Sequence, residues 1–182
     1  MPEAGLILDS AGNLYGATSV GGASNNGVVF KLDTTRTETV LHSFTGPNAD
    51  GSLPISGLIL DSAGNLYSTT FSGGPVGAGT VFAVDKTTGT ERVLYSFTAG
   101  ADGASPAGRV IGDSARTLYG TAEYGGASGY GVVFKLDKTG ETVLYSFTGG
   151  RMGRTPGQVW SETQQAISTA LLIQAAAHRA PE

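Results

Sequence analysis

There is no cysteine in this chain. That absence excludes disulfide staples, thiolate nucleophiles and cysteine-ligated zinc together, and it suits a reducing or an oxidising compartment equally. Charge is scarce too, with Lys, Arg, Asp and Glu at 14% of residues against roughly a quarter in an average soluble domain. The 11 Lys and Arg are scattered and outnumbered by 15 Asp and Glu, so no basic patch can neutralise phosphates and nucleic acid is excluded as a partner. No apolar run reaches the roughly 18 residues that suggest a membrane span, and Met1-Pro2-Glu3-Ala4-Gly5 lacks the basic start of a leader peptide. Membrane insertion is not expected. With only 2 histidines, His42 and His178, groups suited to acid–base work at neutral pH are few.

Glycine is what the chain has in excess: 29 of 182 residues, about twice the usual 7% share. These glycines follow no Gly-X-Y period, and regular clusters of Val, Ile, Leu, Phe and Tyr argue against disorder. A many-turned β protein remains. Its period is plain. GLILDSAGNLYG at 5–16 returns as GLILDSAGNLYS at 57–68 and, more loosely, as RVIGDSARTLYG at 109–120. Asp9, Asp61 and Asp113 keep this step, as do Tyr15, Tyr67 and Tyr119, then Phe30, Phe82 and Phe134. A last block, VLHSF or VLYSF, ends at Phe44, Phe97 and Phe147. Length changes fall between its Val and the preceding Asp, which marks that turn as a surface loop.

Each repeat holds four short apolar runs bounded by turn residues, which predicts four strands. In the first they span Gly5–Asp9, Leu14–Thr18, Gly27–Asp33 and Glu38–Thr45. Four antiparallel strands repeated head to tail about every 40–50 residues describe a β-propeller blade, and a blade hides its sheet faces only against other blades. Phe30, Tyr15, Phe44 and their copies are therefore expected between blades. The organisation is an all-β, partial, open propeller: blades at 1–52, 53–104 and 105–150, the start of a broken fourth repeat at 151–160, and a tail at 161–182. In that tail Ser161 and Gln164 form a capping box ahead of an Ala- and Leu-rich stretch, so a helix over 161–178 is expected. It reads either as a cap on the last blade or as the end of a truncated reading frame.

Gly12–Gly16, the pairing of Gly21–Ser24 with Gly27–Asp33, and Glu141–Gly150 together resemble the GloVer tandem-repeat family of bacterial exported proteins. The likeness covers about residues 2–150. It implies a propeller-like, secreted or cell-surface protein without established enzymatic activity, and it transfers no functional residues. On this reading the chain is expected to depart from the pattern at both ends, without a leader or a recognisable anchor.

Candidate sites are few. Asp9, Asp61 and Asp113 could meet around a channel and hold a cation, but Asp opening an Asx-type hairpin turn accounts for all three. Asn48, Asp50 and Asp102 lie in loops faintly like calcium loops and read as turns for want of further oxygen ligands. Gly21–Gly27 leads into a strand rather than a helix, which removes a phosphate-loop reading. His42 takes the place of Tyr95 and Tyr145, an aromatic structural position. No catalytic residue, cofactor or metal is expected. Phe71, Tyr124 and Tyr130 sit in or beside the Gly-rich loops, where no strand face demands an aromatic, and form the one candidate surface for a carbohydrate or protein ligand. A non-enzymatic binding or structural module is thus the expectation, with a lactonase- or lyase-like propeller enzyme holding a channel metal as the alternative. Self-association through unpaired blade faces is also expected.

Overall fold

A computed structural model of the chain describes residues 2–149 apart from residue 47. The expected fourth repeat at 151–160 and the helix at 161–178 lie outside the described residues. Within them, the first sheet comprises β1 (Ile7–Leu8), β2 (Leu14–Thr18), β3 (Val28–Leu32) and β4 (Glu38–Ser43). The second holds β5 (Ile59–Leu60), β6 (Asn65–Thr70), β7 (Thr80–Asp85) and β8 (Glu91–Ser96). The third holds β9 (Ile111–Gly112), β10 (Leu118–Ala122), β11 (Val132–Asp137) and β12 (Gly140–Ser146). Every sheet pairs its strands antiparallel in chain order, as blades of a propeller-like array do.

The opening strands are shorter than the expected Gly5–Asp9, reduced to two ladder residues in each blade. The remaining pairing survives as isolated bridges, Pro2 with Thr18, Ser52 with Ser72 and Ala104 with Tyr124. The tight first hairpin forms as the Asp-Ser-Ala-Gly pattern requires: Gly12 and Gly64 take φ of 84° and 91°. Arg116 fills the same turn position at φ 66°, where a Cβ is disfavoured.

Two apolar clusters join the sheets in series. Tyr15, Val29 and Phe44 of the first sheet's forward face pack with Leu58, Leu66, Phe82 and Val84 of the second. Val81 and Phe97 then pack with Val110, Leu118, Val132, Phe134 and Leu136 of the third. A single contact type repeats at the centre of both. Phe44 meets Phe82 edge-on at 5.0 Å and 69°, and Phe97 meets Phe134 at 5.1 Å and 69°. The Phe ending one blade thus inserts against the Phe of the next blade's third strand.

That rule corrects one expectation. Phe82 and Phe134 are wholly buried, but Phe30 is only half-buried. It occupies the rear face of the first sheet, and among the described residues no preceding sheet covers it. Phe147, on the forward face of the third sheet, is likewise half-buried.

A bulge in the last strand of each blade directs side chains to both interfaces. Val29 pairs with His42 but Phe30 with Val40, leaving Leu41 as the extra residue; Leu94 and Leu144 are the extra residues in the other sheets. Side chains alternate along a strand, and an inserted residue inverts the alternation beyond it. Tyr95 and Phe97 therefore face the third sheet while Glu91, at the start of the same strand, faces the first.

Candidate functional site

The repeated aspartates serve as turn residues. Asp9 Oδ1 accepts from the backbone N–H groups of Ala11 and Asn13 at 3.0 and 2.9 Å, and its Oδ2 accepts from the Tyr15 hydroxyl at 3.0 Å. Asp61 repeats this with Ala63, Asn65 and Tyr67, and Asp113 with Ala115, Thr117 and Tyr119. The donors of Asn13 hold Asp9 well below the usual carboxylate range against the effect of burial, with Lys86 and Tyr15 adding to them. Burial and the adjoining Asp9 push Tyr15 up to about 12. Lys86, from the second sheet, reaches Asp9 at 3.1 Å and ties neighbouring blades together.

Asp50 and Asp102 have a different setting. Each closes the loop after its blade's last strand, taking hydrogen bonds from the backbone and hydroxyl of the Thr that follows the terminal Phe: Thr45 at 2.9 and 2.7 Å, Thr98 at 2.7 and 2.5 Å. The remaining capacity turns to the aromatic slot. His42 Nε2 lies 2.8 Å from Asp50 Oδ2, and the Tyr95 hydroxyl donates to Asp102 Oδ2 at 2.9 Å. Each ring also stands edge-on to its blade's Phe, His42 to Phe44 at 4.8 Å and Tyr95 to Phe97 at 5.2 Å. His42 therefore does occupy a structural aromatic position, and it carries an imidazole where its copies carry a phenol.

The bulge supplies the third member from the next blade. Donor atoms of His42, Asp50 and Glu91 all lie within 4.8 Å of one another, in a half-buried setting. Glu91 Oε1 is buried and has no hydrogen-bond partner. Burial, with Asp50 beside it, pushes this carboxyl up to about 7. At Asp50 burial acts in the raising direction, but Thr45 and His42 outweigh it and the net effect is lowering. The next interface repeats the arrangement with Tyr95, Asp102 and Glu141: Glu141 Oε1 is buried and unpartnered, and burial with nearby Asp102 raises its carboxyl. Chemically, the first copy offers one imidazole and two carboxylates, a donor set for a divalent transition metal; the second offers a phenol in place of the imidazole.

Sequence reasoning placed Asp50 in a turn and His42 in an aromatic slot, both as observed, but did not connect them with Glu91. The available signal was the break in repeat register, His42 where Tyr95 and Tyr145 stand. Of the aromatic candidates, Tyr124 and Tyr130 are 53% and 61% exposed on one loop, and a bridge between Gly125 and Tyr130 joins its ends. Phe71 belongs to the preceding blade and is half-buried. Among the described residues no ring contact joins it to either tyrosine.

The repeating turn, bulge and inter-blade Phe contact are the structural form of a sequence pattern that matches the Gloeobacter/Verrucomicrobia repeat over residues 1–170. The chain belongs to that repeat family. No curated protein matches this Gloeobacter/Verrucomicrobia repeat chain by sequence. Among solved structures it is similar to a nidogen/laminin complex, at 15% identity and a TM-score of 0.48, over 74% of this chain and 44% of that one. It is also similar to a candidate 6-phosphogluconolactonase from Bacteroides uniformis, at 22% identity and a TM-score of 0.43, over 74% of this chain and 37% of that one. The repeat chain thus spans less than half the length of either structure.

Proposed function

We propose that this repeat protein is a non-enzymatic, extracellular or cell-surface module that presents a binding surface for a carbohydrate or protein ligand on a propeller-type scaffold. The carrying observation is the third blade's Gly-rich loop, which exposes Tyr124 and Tyr130 where the other blades have Val20 and Asn26 or Ser72 and Ala78. The loop is held at its base: Ala104 and Tyr124 exchange backbone hydrogen bonds at 2.9 and 3.1 Å, and Gly131 N–H donates to Gly125 at 2.9 Å. Two exposed rings on a fixed frame offer large contact area, a polar edge and little entropy to lose on binding. Contact with further repeats or copies through the outer blade faces belongs to the same reading. A glycan array and a surface-protein pull-down, each run with the parent and Tyr124→Ala, test it. A ligand that binds the parent and loses affinity with the variant, at unchanged melting temperature, is expected; a ligand indifferent to Tyr124 overturns the placement.

A lactonase- or lyase-like enzyme is the second reading, and the observation in its favour is the cluster of His42, Asp50 and Glu91. Turnover of a lactone lost with Asp50→Asn would favour it over the first.

A further inference from the structure

We infer that His42, Asp50 and Glu91 form a binding site for a divalent transition metal ion of the zinc type, clipping the first blade to the second. The three ligands come from separate segments: His42 from β4, Asp50 from the loop that leaves the first blade, and Glu91 from the start of β8. Each is already positioned. His42 is held by its edge contact with Phe44, Asp50 by Thr45 on its side chain and by the Thr80 hydroxyl on its backbone carbonyl at 3.1 Å, and Glu91 by the strand ladder opposite Val84. Zinc bonds of about 2.0–2.2 Å to nitrogen and oxygen in a tetrahedron put donors roughly 3.5 Å apart. The donor atoms lie within 4.8 Å of one another, and they take that spacing when His42 Nε2 and Asp50 Oδ2, now 2.8 Å apart, part to admit the ion and Glu91 draws toward it.

The buried Glu91 Oε1, without a hydrogen-bond partner, is a second and separate observation. A carboxylate oxygen in that state is costly, and a cation between it and Asp50 supplies the missing partner. The protons balance: the ion takes the lone pair of His42 Nε2, the ring keeps its proton on Nδ1, and a proton displaced from the Glu91 carboxyl leaves to solvent. The second interface is a control built into the molecule. Glu141 Oε1 is equally unpartnered beside Asp102, but the group completing that cluster is the Tyr95 hydroxyl, a far weaker ligand for zinc than imidazole. Imidazole in the aromatic slot is thus what separates a metal site from a hydrogen-bonded one.

The test uses the full chain stripped with a chelator and titrated with zinc chloride by calorimetry, with thermal melts alongside. One zinc per chain and a melting temperature that rises with zinc are expected. His42→Tyr installs the residue the other two repeats carry, so it should fold with the parent's circular dichroism and lose both uptake and the thermal shift. Tyr95→His should raise the uptake to two. Absence of uptake by the parent at micromolar zinc overturns the assignment, as does undiminished uptake by His42→Tyr or uptake that stays at one in Tyr95→His. Should His42→Tyr fail to fold, the Tyr95→His comparison decides alone.

Discussion

Equivalent residues in the three repeats differ in energetic weight because their neighbours differ. Phe82 lies wholly inside an inter-blade core and Phe30 and Phe71 do not. Phe82→Ala should destabilise the array by roughly 3–5 kcal/mol, against under about 1 kcal/mol for Phe71→Ala, with Phe30→Ala between them. Denaturant melts that rank Phe30 with Phe82 would show that its rear face is covered after all. Backbone gives another contrast: Arg116 holds φ 66° where the sister turns have glycine. Arg116→Gly should therefore stabilise by roughly 0.5–1 kcal/mol, offset in part by the greater freedom of glycine in the unfolded chain. Protonation supplies a third case. Burial and Asp102 raise the Glu141 carboxyl above its ordinary 4.5, so the folded chain keeps a proton that the unfolded chain has released. Its stabilising effect is complete below the ordinary value and is lost as pH rises through the elevated one. Glu141→Gln should remove that decline, and a stability–pH curve over pH 4–8 unchanged in shape would contradict it.

The bulge is the element that makes a single strand serve two interfaces. Removing Leu94 would restore strict alternation along β8 and bring Glu91 onto the face of Tyr95 and Phe97. A carboxylate would then enter an apolar core, and the Tyr95 hydrogen bond to Asp102 and the Phe97 contact with Phe134 could not be kept together with it. Deletion of Leu94 should abolish cooperative unfolding, whereas Leu94→Ala, at a 36% exposed position, should cost about 1 kcal/mol or less. Much of the blade was legible before its structure: the Leu14–Thr18 strand lies where the pattern put it, and the Asp turns bond as their chemistry requires. The bulge was not legible, because VLHSF and VLYSF carry no residue that marks one.

For the whole array, the outer faces present the two halves of its internal contact. Phe147 stands edge-on to Tyr145 at 5.0 Å like the Phe44 and Phe97 that insert into the next blade, while half-buried Phe30 matches the receiving Phe82 and Phe134. Leu6 and Leu8, 54% and 66% exposed, add apolar surface to the first blade. Head-to-tail contact between such faces is heterologous, so it closes a ring or runs on as a chain of copies. Light scattering should show a mass that rises with concentration, and Phe30→Glu should suppress the rise. A strictly monomeric species that binds no hydrophobic dye would contradict it.

The amino-acid sequence by itself determined the period, the four strands per repeat, the turn chemistry and the family, because each depends on local residue types that recur and corroborate one another. Only tertiary structure decided which copy of a repeated residue is buried and which groups converge. Glu91 lies 41 residues beyond Asp50, on another blade, and meets it because a bulge reverses the strand's facing and two sheets stack. Repetition in sequence is a one-dimensional property, whereas burial depends on what lies across each face.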